Sequence, residues 1–213
     1  MKEKPILFSG PMVRAILDWR KTQTRRRLKP QPVWVGDPGV PFRTSDADPN
    51  GIIPCPYGQP GDRLWVRETW GLMSYHDVTD WDAGSIRGVS EAEIRERYLV
   101  EHAANWNLPN ESAHLRPSIH MPRWASRITL EITGVRVERL QEISDRDCIA
   151  EGVERRTEED TPFRAYRAIW ESIHPNEIPE LDQDGNKIGM MPNPARWDAN
   201  PYVWVIEFRR VEE

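Results

Sequence analysis

The chain has 213 residues, 38% hydrophobic and 30% charged, with 29 Lys and Arg against 34 Asp and Glu for a formal net charge of −5. That balance suits one large globular domain or two small ones and excludes wholesale disorder. No run approaches the roughly 20 apolar residues of a membrane span and the first thirty residues lack a signal-peptide apolar stretch, so a cytoplasmic protein without membrane contact is expected.

Two cysteines, Cys55 and Cys148, cannot form a disulfide framework or a four-thiolate zinc site. Ten tryptophans stand beside four phenylalanines and five tyrosines, and nineteen prolines interrupt the chain. The charge is uneven. Residues 1–30 hold nine Lys and Arg and two acids, a balance of +7 against the whole chain's −5. Phosphate contact depends on local potential, so a basic face remains compatible with an acidic chain.

Ile6-Leu7-Phe8 reads as a strand leading through Ser9-Gly10-Pro11 into a helix with Met12, Val13, Ile16 and Leu17 on one face. The helix ends near Trp19, ahead of the basic run Arg20 to Arg27. Residues 29–61, rich in Pro and Gly, read as a long loop. Gly61-Asp62 turns into a strand from Leu64 to Thr69 with Leu64 and Val66 on one face. Ser90 and Glu93 form a capping-box pattern that predicts a helix over 91–101. Residues 102–126 are irregular, and Arg127 to Leu140 predicts a strand pair or one long bent strand with a bulge at Gly134. Ser144 to Glu151 predicts a short capped helix. Thr161-Pro162 opens another, with Phe163, Tyr166, Ile169, Trp170 and Ile173 facing inward. Residues 174–200 read as a third loop, and Tyr202 to Val211 as a closing buried strand. The sum is a mixed α/β (α+β) chain, a small curved sheet or barrel with flanking helices and long loop insertions. No dinucleotide glycine fingerprint or phosphate-binding loop occurs.

Lys21 and Thr24 stand three apart, which on a helical turn brings an amine to a hydroxyl. A neutral lysine can take a threonine's proton, and Arg20, Arg25 and Arg26 together with burial would lower the lysine pKa. A solvated basic turn is the bland alternative. Proton donation to a leaving nitrogen needs a carboxyl kept partly from water. Glu68, between Trp65 and Trp70, and Glu151 are the candidates, and Glu68 also fits a buried arginine partner. From His114 to Arg127, three arginines, His114, His120 and Trp124 lie among prolines, a combination suited to bases and single strands. Metal binding has no support, because neither histidine has ligands at metal spacing.

Three separated segments carry a resemblance: Lys21-Thr22-Gln23-Thr24-Arg25-Arg26, Gly61-Asp62-Arg63-Leu64-Trp65-Val66-Arg67-Glu68 and Val203-Trp204-Val205-Ile206-Glu207-Phe208. Together they resemble the ASCH domain family, of PUA-like β-barrel fold. Ser118 to Arg127 is similar to the version encoded by phages and prophages. The match covers about residues 5–29, 57–72, 116–151 and 197–210 in order.

The resemblance implies a single domain over 1–213 with insertions at about 29–61, 73–116 and 174–200, and a cleft that takes a nucleoside or RNA. Small bacterial ASCH enzymes hydrolyse N4-acetylcytidine with a lysine as proton acceptor, a threonine as nucleophile and a glutamate as proton donor. By motif these are Lys21, Thr24 and Glu151, with Arg26 matching the arginine that follows. Substrate contacts are then expected from Arg25, Arg26, Glu68, Trp65, Trp70, His120, Arg123 and Trp124, with no cofactor. Those enzymes are shorter and carry glycine where this chain has Trp19. The rival reading is an RNA-binding or other nucleic-acid-binding module without chemistry, in which Lys21, Arg25 and Arg26 hold phosphate and tryptophans stack on bases; a ribonuclease is the third. The oligomeric state, monomer or weak dimer, is not encoded in any pattern of the sequence.

Overall fold

A computed structural model of the chain describes residues 1–36, 40–42, 51–74, 90–105, 115–154 and 160–211. In chain order its strands are β1 (Glu3–Leu7), β2 (Gln23–Arg27), β3 (Trp34–Gly36), β4 (Val40–Phe42), β5 (Arg63–Arg67), β6 (Trp70–Ser74), β7 (Tyr98–His102), β8 (Thr129–Arg139), β9 (Glu177–Leu181), β10 (Lys187–Pro192) and β11 (Tyr202–Val211). The helices are α1 (Gly10–Leu17), α2 (Glu91–Arg97), α3 (Asp145–Ala150) and α4 (Pro162–Ile173). The mixed α+β class is as the sequence predicts. The chain divides into two compact units: Met1–Trp19, Gly61–Ile132 and Arg209–Glu213 in the first, Arg20–Pro60 and Thr133–Phe208 in the second.

In the first unit β1 pairs in parallel with β5, and β5 pairs antiparallel with the start of β8, setting Leu64 opposite Leu130. Leu64, Trp65 and Val66 are all buried, so the strand is covered on both faces. Ser9 begins α1 with Pro11 in its first turn, and Val13, Ala15 and Ile16 turn inward. Gly61 has φ +89°, the left-handed turn that feeds β5 and that a side chain rarely adopts.

The helix predicted over 91–101 is shorter. Both bonds of the Ser90–Glu93 capping box form, but the backbone turns extended at Tyr98. From there Tyr98 to His102 pair with β6, and Trp70, Leu72, Ile94 and Met121 make a buried cluster against which Tyr98, Val100 and Trp124 pack. Burial of these β-prone side chains outweighs continuation of the helix.

In the second unit β11 runs antiparallel to β2, with Val203 opposite Arg27, Val205 opposite Arg25 and Ile206 opposite Thr24. Val203 and Val205 join Leu140, Cys148, Tyr166, Trp170 and Trp197 in one core. Trp170 Nε1 donates to the Ala195 carbonyl at 2.8 Å, so the indole is buried with its polar edge satisfied. The α4 stripe holds at Tyr166 and Trp170, but Ile173, expected inside, is exposed where the helix ends. Two segments read as loops contain pairing: β3 with β4 inside 29–61, and β9 with β10 inside 174–200. His114 lies outside the described residues.

The span from Thr129 is one long strand. At Gly134, expected to mark a bulge, a Cβ would stand 2.6 Å from Glu207 Oε2. A side chain there would push against the end of the Glu207 carboxylate. Among the described residues the ladders run β1-β5-β8 in the first unit and β8-β11-β2 in the second, and none closes into a barrel.

Candidate functional site

The basic run after α1 is a strand, and this decides which of its side chains meet. Successive side chains of a strand point to opposite faces. Lys21 bridges Glu151, Gln23 Nε2 donates to the Asp147 carbonyl at 3.1 Å, and Arg25 reaches Glu151, Glu138 and Asp147. Lys21, Gln23 and Arg25 therefore share the face that looks onto α3. Thr24 and Arg26 take the opposite face, with Thr24 opposite Ile206 in the ladder. The helical turn that would set Lys21 beside Thr24 is absent, because ladder pairing with β11 fixes the segment as extended.

At the centre is a buried ion pair. Lys21 Nζ donates to Glu151 Oε2 and to the Glu151 carbonyl, both at 2.8 Å. Glu151 Oε1 accepts from Arg25 at 3.4 Å, and Arg25 donates to Glu138 at 2.9 Å and Asp147 at 3.2 Å. The side chains of Lys21 and Arg25 have no exposed surface. Burial pushes the Lys21 amine below the usual lysine range; the Glu151 carboxylate opposes that fall, and Arg26 and Arg25 add to it. The direction is the one the sequence predicts, with burial rather than the arginine cluster as the larger cause. Arg20 belongs to another setting, an exposed pair with Glu154 at 2.8 Å.

Local sequence positions Glu151. Ser144 caps α3, its Oγ accepting from the Asp147 N–H at 3.1 Å, and the helix lasts six residues before Glu151 caps its far end. The Thr22 N–H donates to the Ala150 carbonyl at 2.8 Å, which fixes α3 to the start of β2. Tyr166, deep in the same unit, keeps its phenol proton well above the usual range through burial first and the Glu151 charge second.

Next to this pair is a cavity of about 480 Å³ whose walls include Thr22, Gln23, Thr133, Arg146, Asp147 and Glu207. Lys21, Thr24 and Glu151 are not among its lining residues. Asp147 and Glu207 both bond Arg136, so the carboxylates there are partly neutralised.

The remaining candidates lie in the first unit. Glu68 is buried and takes a two-point bond from Arg127, at 2.9 and 3.0 Å, which makes it an arginine partner. Trp65 is buried with the Arg67 guanidinium 4.7 Å from its ring centre. Trp70 is buried edge-on to Trp124 at 5.9 Å. Neither Trp65 nor Trp70 presents a ring face to solvent on which a base could stack. Arg123 bonds Glu3 at 2.9 and 3.0 Å, and His120 is exposed. Among the described residues no group of three or more His, Cys, Asp or Glu could hold a metal, and no helix is long and apolar enough to cross a membrane.

Sequence reasoning missed Asp147, Glu138 and Gln23 as partners of the basic strand. Asp147 had a signal, since Ser144 and Asp147 form a cap pattern, but its tie to Arg25 spans 122 residues. Comparison of this chain with family models, curated proteins and solved structures finds no match.

Proposed function

We propose that this chain is an ASCH-like amidohydrolase, with a PUA-like barrel as its ancestral frame, that removes the acetyl group from N4-acetylcytidine through proton transfer by Lys21 and Glu151. The observation that carries the reading is their buried contact at 2.8 Å. A pair that shares one proton exists as ammonium and carboxylate or as amine and carboxylic acid, and the second form supplies a base and an acid together. Burial favours the neutral form by lowering the Lys21 pKa.

In the proposed reaction the nucleophile's oxygen bonds to the acetyl carbon and its proton passes to Lys21 Nζ. The carbon–nitrogen bond then breaks, and N4 takes the proton of the Glu151 carboxyl, leaving ammonium and carboxylate. By resemblance the nucleophile is Thr24. Water next splits the threonine ester: one of its protons goes to Glu151, the Thr24 oxygen recovers one from Lys21, and acetic acid leaves and ionises to acetate in solvent. Thr24 lies on the face of β2 opposite Lys21, so its part rests on the resemblance alone, and direct attack by water has the same proton balance.

The rival phosphate-binding reading asks Lys21 and Arg25 to offer positive charge to a nucleic acid, yet their charges are already matched by Glu151, Glu138 and Asp147 of this chain. The test is acetate release from N4-acetylcytidine by the whole chain and by Lys21→Ala, Glu151→Gln and Thr24→Ala. Wild type turns over, and the first two variants do not. Loss of turnover in Thr24→Ala assigns the nucleophile to threonine, and retention assigns it to water. No acetate from wild type at high enzyme concentration ends the proposal.

A further inference from the structure

The cavity next to the Lys21–Glu151 pair has two walls of unlike charge, and both belong to the second compact unit. One wall is α3. Arg146 and Ala150 stand four apart on one face of that helix, and both line the cavity. The other wall is the ladder of β2 and β11, where Gln23 and Glu207 are directly opposed and so carry their side chains together on one face of the sheet.

Arg146 is exposed and, among the described residues, its guanidinium has neither a carboxylate nor a hydrogen-bond partner. The sheet wall has the reverse sign. Lys21, Arg25 and Arg136 are paired with Glu138, Asp147, Glu151 and Glu207, so that within this set one negative charge is unmatched. Moving a proton between Lys21 and Glu151 leaves that balance unchanged. The surplus falls at the cavity, because Glu207 depends on Arg136, a cation it shares with Glu138 and Asp147, and its side chain is 45% exposed. Gln23 adds an acceptor there. It is buried, its Nε2 donates to the Asp147 carbonyl, and its Oε1 has no donor among the described residues. A withdrawn carboxamide oxygen is costly unless something in the cavity donates to it.

We propose that this cavity binds a free amino acid, with the ammonium on Glu207 and Gln23 Oε1 and the carboxylate on Arg146. An anion alone would leave the surplus carboxylate unanswered, and a cation alone the guanidinium; a zwitterion matches both. The volume of about 480 Å³ lies in the range of small-molecule sites. The site goes beyond the amidohydrolase reading, does not use Lys21 or Glu151, and is read by binding without acetate release.

The experiment is a thermal-unfolding screen of the whole chain with each L-α-amino acid of uncharged side chain at about 2 mM. Calorimetric titration follows with the strongest of them, with the amine that lacks its carboxylate and with the acid that lacks its ammonium, on wild type, Arg146→Ala and Glu207→Gln. At least one amino acid raises the unfolding temperature by about 2 °C or more. Each truncated analogue binds wild type about tenfold or more weakly than the amino acid, as loss of a charged contact requires. Arg146→Ala loses about tenfold in affinity for the amino acid and the acid but binds the amine at least as well as wild type does. Glu207→Gln gives the converse, and this crossed pattern is one that a general disturbance of the fold would not produce. Absence of a shift with every amino acid overturns the proposal. So does an amine or acid that binds wild type as tightly as the amino acid, or an Arg146→Ala chain that binds the amino acid unchanged.

Discussion

Lys21 Nζ lies 2.8 Å from Glu151 Oε2 across 130 residues of sequence, and both side chains are withdrawn from water. Removing one partner strands the other. Lys21→Met leaves a buried carboxylate facing Arg25 alone and is expected to lose about 3–5 kcal/mol, whereas Lys21→Met combined with Glu151→Leu recovers a good part of it. Urea unfolding of the two variants measures the difference. With Glu151→Leu measured alone as well, losses that simply add in the double variant would mean that the pair is not coupled.

The Lys21 pKa also sets a pH dependence. The native amine gives up its proton below 10.5, its ordinary value, and the unfolded amine at that value. Between those points the unfolded chain binds more protons, so this group makes stability rise with pH across the interval. Stability of wild type minus that of Lys21→Met, followed by denaturant titration from pH 7 upward, should increase toward pH 10.5. A flat difference contradicts the assignment.

Cys148 works in the opposite sense. Burial is the main cause that raises its thiol from 9.0 to about 12. The unfolded thiol ionises first, so between pH 9.0 and about 12 the native state holds the extra proton and stability falls as pH rises. Cys148→Ala should flatten that decline. In the native chain iodoacetamide should modify the half-buried Cys55 well before the buried Cys148, as read by peptide mass spectrometry.

Gly134 and Glu207 form a testable couple. A methyl at residue 134 meets the Glu207 carboxylate, which Arg136 also holds. Gly134→Ala is expected to destabilise wild type by about 1 kcal/mol through that crowding. In a Glu207→Ala background the same change should be neutral or stabilising, because alanine suits a strand better than glycine. The double-mutant cycle gives the coupling directly.

Much of the fold can be read from local chemistry. Proline and a cap residue place α1 and α4, the Ser144 cap places α3, and alternation places β5, β8 and β11. The errors arise where distant contacts decide. Tyr98 to His102 continue a helical pattern but gain more by pairing with β6. At the site, Lys21 and Glu151 are identifiable as separate residues, yet the i,i+3 argument assumes a helix that the pairing with β11 forbids. The partners of Arg25 lie 113 to 126 residues away and have no local signature.

The alternation of β2 has an evolutionary consequence. Lys21, Gln23 and Arg25 reach the α3 face because an even number of bonds separates them, so the segment tolerates exchange of residue types but not a change in their number. Deleting or inserting one residue between Lys21 and Arg25 would turn one end of the trio away from Asp147 and Glu151 and set a cation against the opposite face of the ladder. Natural variation between Lys21 and Arg25 is therefore expected to proceed by substitution at constant length, or in steps of two residues, a constraint that exposed loops do not share.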